Sequence, residues 1–61
     1  MLNETIKVLM RRDKITEAEA TELFQETLQE MEEVGFDYEE CQDILQNNLG
    51  LEPDYFMDFI S

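Results

Sequence analysis

The stretch TEAEATELFQETLQEMEEVGF, residues 16–36, decides the fold. It begins with Thr16 and Glu19, whose spacing is typical of a capping box at a helix start. It ends at Gly35, a residue suited to the left-handed position that follows a helix. The spacing therefore predicts a helix over residues 17–34, the longest element of a 61-residue chain.

This helix has two sides, because successive residues are turned by about 100°. A wide apolar arc predicts a core-facing side, formed by Ala20, Leu23, Phe24, Thr27, Leu28, Met31 and Val34. Within a separate arc of about 80° lies a set that we call the acidic ridge: Glu19, Glu22, Glu26, Glu30 and Glu33. Neighbouring acids of the ridge repel each other by about a few tenths of a kcal/mol per pair. The ridge either faces a cationic partner or serves solubility, since glutamate is also a good helix former.

Caps and apolar spacing predict three further helices around the central one. Asn3 and Asp37 are suited to the N-cap of a helix, and Pro53 is suited to a first helical position. The predicted helices cover about residues 3–12, 38–49 and 53–60, in addition to 17–34. No segment has the alternation of a strand. We therefore expect one small acidic all-α domain over residues 1–61, a compact bundle of three to four short helices.

Glycines are predicted to end two of these helices in the same way. After Gly35 we expect Phe36 to pack back on Met31, the contact that accompanies a Schellman ending. Gly50 is predicted to end the helix over residues 38–49 by the same turn. Both turns keep consecutive helices close enough to share one core.

Charge is divided unequally along the chain. Sixteen Asp and Glu residues oppose four Lys and Arg residues, which gives a formal net charge of −12. All four bases precede Ile15, where only Glu4 and Asp13 oppose them. We expect these bases to pair with carboxylates of the second helix or of a second subunit. The net charge disfavours direct binding to nucleic acid and to anionic membranes.

Catalytic and metal sites are not indicated. The chain has no histidine, so neither a Ser-His nor a Cys-His arrangement can be assembled. Its one cysteine, Cys41, shares the predicted inner face of its helix with Ile44 and Leu45, which favours a buried structural thiol. Zinc ligands other than Cys41 are missing, and no segment has the spacing of a calcium loop. We expect a non-enzymatic protein without cofactor or metal.

Targeting signals are also missing from the sequence. A single cysteine cannot form an internal disulfide, which favours a reducing compartment. The first fifteen residues lack a signal-peptide core, and no apolar run approaches the ~20 residues of a membrane span. We therefore expect a soluble, cytoplasmic chain that is complete from Met1 to Ser61.

The order of helices and turns from Ala20 to Ile60 resembles the ubiquitin-associated (UBA) three-helix domain. The resemblance rests on the first loop, Val34-Gly35-Phe36, and on the apolar pair Phe59-Ile60 near the end of the last helix. It implies a three-helix fold and ubiquitin contacts at those five residues. Valine stands where the UBA loop typically has methionine, and an additional basic helix precedes the similar region.

In size and charge the chain also resembles small acidic proteins of phages and other mobile elements, which include nucleic-acid mimics that block host defence enzymes. That similarity and the acidic ridge lead to our first hypothesis, a non-enzymatic protein-binding module. Its acidic face docks on a basic surface of a nucleic-acid-handling partner, as an inhibitor or regulator. A UBA-like ubiquitin-binding domain is one alternative.

A helical homo-oligomer, such as a homodimer with a structural or assembly role, is the other alternative. Apolar residues that exceed the capacity of one small core would mark its interface: Leu2, Ile6, Met10, Met57 and Phe59. We also predict a candidate apolar interface, which consists of Phe36, Tyr55, Phe59 and Ile60.

Overall fold

Residues 3–60 are described by the structure, a computed structural model. The chain forms four α-helices: α1, Glu4–Asp13; α2, Glu17–Glu33; α3, Tyr38–Ile44; and α4, Met57–Ile60. A π-helical turn, Leu45–Leu49, continues α3, and a 3₁₀ turn, Pro53–Phe56, leads into α4. The described residues form no strand. The predicted all-α bundle is confirmed. The predicted helix limits also hold to within a residue when the π turn is counted with α3 and the 3₁₀ turn with α4.

Three helices begin at the capping residues predicted from the sequence. The Asn3 side chain accepts a hydrogen bond from the Ile6 amide at 2.9 Å. At the start of α2 the capping box is complete, because Thr16 accepts from the Glu19 amide while Glu19 accepts from the Thr16 amide. Asp37 accepts from the Glu40 amide at 3.1 Å and so caps α3. Each cap satisfies an amide that the first helical turn would otherwise leave without a partner.

The end of α2 is a complete Schellman motif. Gly35 has a φ of 63°, its amide donates to the Glu32 carbonyl at 3.0 Å, and the Phe36 amide donates to the Met31 carbonyl at 2.9 Å. The sequence did not indicate that Phe36 is also left-handed, with a φ of 57°. This conformation is unfavourable for a residue with a Cβ atom. Its ring remains 37% exposed, although its backbone is tied to Met31.

The end of α3 differs from the end of α2, although a glycine closes both. Gly50 is left-handed, with a φ of 66°, and its amide donates to the Gln46 carbonyl at 3.0 Å. The Leu51 amide reaches the Leu45 carbonyl at 3.3 Å, one residue further back than in the turn after α2. The last turn of the predicted regular helix is therefore a wider π turn.

The core lies where α2 crosses the other helices. Its buried members are Ile6, Leu9, Ala20, Met31, Cys41, Leu45, Leu49, Leu51, Phe56 and Phe59. Stacked rings of Phe24 and Phe59, with centroids 4.1 Å apart, join α2 to α4. The Cα radius of gyration of 10.7 Å equals that of a packed globule, about 10.5 Å for this length. Leu2, one of the apolar residues predicted to exceed the core, lies outside the described residues.

Within residues 3–60, none of the helices combines the length and the apolar character that a bilayer span requires.

Candidate protein-binding surface

All five glutamates of the acidic ridge are solvent-exposed along α2. On the opposite side of the same helix Ala20, Thr27 and Met31 are buried. The Thr27 hydroxyl donates to the Leu23 carbonyl at 2.9 Å, so this buried polar group is satisfied within the helix. Helix α2 thus holds the ridge on a rigid support that the core fixes in place.

Two ridge glutamates have partners within the chain. Glu19 uses its Oε1 atom for both the amide and the hydroxyl of Thr16. Glu30 accepts a hydrogen bond from the Asn48 side chain, which lies in the π turn after α3. The remaining three, Glu22, Glu26 and Glu33, make no hydrogen bond or ion pair with the rest of residues 3–60. Their carboxylates are available to a partner.

A groove of about 260 Å³ lies beside the N-terminal half of the ridge. Its apolar part consists of Leu23 and Ile15, a residue of the short connection between α1 and α2. Three ridge members, Glu19, Glu22 and Glu26, complete its lining. The groove therefore places carboxylates beside partly exposed hydrocarbon. Ile15 was not predicted from the sequence, because it lies outside the helical spacing that defines the ridge.

The bases of α1 do not pair with α2, so that part of the charge prediction is wrong. Within residues 3–60 the one ion pair joins Arg12 to its neighbour Asp13, with Nε and Oδ1 2.9 Å apart. The same guanidinium donates to the Leu49 carbonyl at 2.6 Å and to the Gly50 carbonyl at 3.3 Å. Arg12 thus caps the last turn of the π helix, where carbonyl groups lack helical partners and favour a cation. Within the described chain, none of the four bases forms an ion pair with the ridge.

Hydrogen bonding between Arg12 and Asp13 shifts both groups in the directions that favour their charges. It raises the pKa of Arg12 and lowers the pKa of Asp13, with attraction between the two charges acting in the same sense. Both side chains are exposed to solvent, which screens the pair, so its effect on stability is small. The carbonyl contacts of Arg12 matter more for the fold than its ion pair does.

Asp58 belongs to the fold and not to a free acidic surface. Its Oδ2 atom accepts from the Thr5 amide at 2.9 Å and from the Thr5 hydroxyl at 2.7 Å, which joins the start of α1 to α4. Thr5 is fully buried, so Asp58 supplies the acceptor that these two donors need. Other acids in the same half of the chain are exposed, among them Glu39, Glu40, Asp43 and Asp54.

The four candidate apolar interface residues are not equally accessible. Phe59 is only 6% exposed and stacks on Phe24 within the core, while Tyr55 is half-buried against the core. Phe36 and Ile60 remain exposed. Two further apolar side chains, Tyr38 and Met57, are exposed as well. Ile6, predicted to exceed the core, is buried, and Met10 packs against the core.

Cys41 is buried on the inner side of α3, and its thiol is free of any disulfide. Burial raises the pKa of this thiol, and the nearby charges of Asp37 and Glu40 raise it further. A raised pKa keeps the thiol protonated and unreactive at neutral pH. Residues 3–60 contain no group of three or more acidic, cysteine or histidine side chains arranged to hold a metal ion.

None of the protein-family models matches the chain, and neither the curated proteins nor the solved structures contain a significant match to it. The resemblance to the UBA domain therefore stays a prediction. Any function must be argued from the surface itself.

Proposed function

We propose that this protein is a non-enzymatic protein-binding module whose acidic ridge docks on a basic surface of a nucleic-acid-handling partner. Bound in this way, it inhibits or regulates that partner in the cytoplasm as a nucleic-acid mimic. The observation that carries the proposal is the ridge itself: five exposed glutamates on one side of α2, with no base of the described chain paired to them.

Geometry supports mimicry of a phosphate backbone. From Glu19 to Glu33 the ridge extends about 21 Å along the axis of α2. Its carboxylates follow each other at about 5 to 6 Å, the same order as the ~3.4 Å per phosphate along one strand of a duplex. When a basic groove on the partner binds the ridge, counterions are released to solvent, as they are when such a groove binds nucleic acid. The partner is a protein, because a net charge of −12 repels nucleic acid itself.

The test is capture of partners from a lysate of the encoding organism on the immobilised protein, at about 0.05 and about 0.5 M salt. The control variant changes Glu22, Glu26 and Glu30 together to Gln, which removes three charges and keeps the side-chain size. We expect the captured protein to bind nucleic acid, to elute with salt or duplex DNA, and to be lost with the variant. Capture that resists salt and persists with the variant contradicts the proposal.

Exposed apolar side chains favour a second candidate, a homo-oligomer with a structural or assembly role. Tyr38 is 53% exposed, Met57 is 61% exposed and Ile60 is 47% exposed, and covering such groups stabilises an interface. Light scattering at micromolar concentration tests this candidate. Ile60→Lys is the disrupting variant, and Gln25→Lys, at an exposed position of α2, is a control with the same change of charge. A discrete dimer lost only in Ile60→Lys supports it, and a strict monomer excludes it.

UBA-like ubiquitin binding is the third candidate, supported by the exposure of Phe36 and Ile60. Phe59 does not help this candidate, because its ring is committed to Phe24 in the core. Titration with ubiquitin, followed through the amide signals of Phe36 and Ile60, is sufficient as a test. No shift at millimolar ubiquitin ends this candidate.

A further inference from the structure

We infer that the groove beside the ridge binds one arginine side chain of the basic partner. This inference rests on the proposed function and specifies which part of the ridge binds the partner most strongly. The groove combines an apolar wall, Ile15 and Leu23, with the carboxylates of Glu19, Glu22 and Glu26. An arginine side chain has the same two parts in series, a hydrocarbon stem and a planar cation. The two surfaces are complementary in polarity as well as in charge.

The carboxylates of the groove have acceptor capacity to spare. The carboxylates of Glu22 and Glu26 make no hydrogen bond within the described chain. Glu19 engages Thr16 through Oε1 alone, so its Oε2 atom is available. A guanidinium has five N–H donors and binds carboxylates in pairs of hydrogen bonds, which a compact ammonium cannot do. Arginine is therefore the occupant that the groove fits best.

Size also indicates a side chain and not a small molecule. The groove measures about 260 Å³, below the ~300 to 1,000 Å³ of typical small-molecule sites. The nearest base in the sequence, Lys14, is exposed and forms no ion pair with the described carboxylates. The charge in the groove is thus left to an external cation.

A pair of double variants separates the groove from the rest of the ridge. Glu22→Gln with Glu26→Gln removes two groove charges, and Glu30→Gln with Glu33→Gln removes two charges from the same helix outside the groove. Gln at position 30 can still accept from Asn48. The probe is a nona-arginine peptide, and binding is measured by fluorescence anisotropy at low salt.

We expect the groove pair to weaken binding at least about tenfold, about 1.4 kcal/mol, and the other pair less than about threefold. Equal losses of affinity in the two double variants would contradict the arginine site in the groove and would leave the proposed function of the ridge intact. If the unmodified protein does not bind the peptide at all, or neither pair weakens binding, the ridge function fails together with the groove.

A second probe tests the apolar wall without changing the protein. In this peptide each arginine is replaced by 2-amino-3-guanidinopropionic acid, which keeps the guanidinium and removes two methylene groups. Each methylene that leaves an apolar contact lowers affinity by about fourfold, so we expect at least about a tenfold loss. In Leu23→Ala, checked for folding by circular dichroism, the two peptides should differ much less. Equal affinity of the two peptides for the unmodified protein would contradict the proposed arginine site in the groove.

Discussion

The two sides of α2 contrast in what their residues do for the fold. On one side Ala20, Thr27 and Met31 are buried, and the hydroxyl of Thr27 is satisfied inside the helix. On the other side the ridge glutamates are exposed, and most of them have no partner in the described chain. Burial makes the first side stabilising, while like-charge repulsion makes the second side destabilising. Side chains that lower the stability of a fold are candidates for a role in function.

Changing the buried side should have the largest effect. Met31 is fully buried, so Met31→Ala leaves a cavity in the core and should lower the free energy of unfolding by about 2 to 5 kcal/mol. A domain of this size has about 3 to 9 kcal/mol in total, so the variant should be partly unfolded at 25 °C. Urea denaturation followed by circular dichroism measures the change. On the ridge side Glu33→Ala is the control, and a similar loss there would erase the contrast.

Asp58 extends the comparison to acids, because this one supports the fold. Asp58→Ala removes the acceptor of both Thr5 donors and should cost about 1 to 3 kcal/mol of stability. Asp54→Ala, an exposed acid of the preceding turn, should change stability by less than about 0.5 kcal/mol. Thermal unfolding of the two variants decides the matter. If both variants lose the same stability, the hydrogen bonds of Asp58 to Thr5 between α1 and α4 contribute nothing to the free energy of unfolding.

Arg12 provides the same contrast among the bases. Arg12→Ala leaves the Leu49 and Gly50 carbonyls without their cationic cap and should cost about 1 to 2 kcal/mol. Its neighbour Arg11 is exposed, and Arg11→Ala should be nearly neutral. Equal unfolding midpoints in urea for these two variants would exclude the capping role.

Charge removal on the ridge should act in the opposite direction. Changing Glu22, Glu26 and Glu30 together to Gln abolishes every i, i+3 or i, i+4 repulsion along the ridge and should raise stability by about 1 kcal/mol at low salt. The gain should shrink as salt rises, because salt screens the same repulsion in the unmodified protein. Unfolding curves at two salt concentrations measure it. A loss of stability instead would show that the ridge serves the fold.

Alkaline pH should produce the smallest effect, through Cys41. Its pKa is raised in the folded protein, so the stability due to the protonated thiol is complete below the unfolded value of about 8.5 and is lost as pH rises through the folded value. Between pH 8 and 9.5 the unmodified protein should lose up to about 1 kcal/mol more than Cys41→Ala does. Parallel slopes of stability against pH for the two proteins would contradict this. The thiol should also resist disulfide reagents until urea unfolds the chain.

Local spacing was enough to predict the caps, the helix limits and the ridge. The capping box at Thr16, for example, is set by residues three positions apart. Other contacts join residues that are distant in sequence: Thr5 and Asp58 are separated by 53 positions, and Arg12 and Leu49 by 37. No period or motif marks such pairs, since they form only when helices pack. The groove was not predictable for the same reason. Ile15 and Leu23 line it together only because of how the turn between α1 and α2 folds.

The central claim is that the acidic ridge is a binding surface, and the salt dependence of partner binding tests it most directly. Affinity of the captured partner is measured over a series of salt concentrations for the unmodified protein and for the variant with Gln at positions 22, 26 and 30. If the acidic ridge is the binding surface, affinity falls steeply with salt, and the slope is smaller by about one for each charge that the variant removes. Equal affinity and equal slope for the two proteins would contradict it.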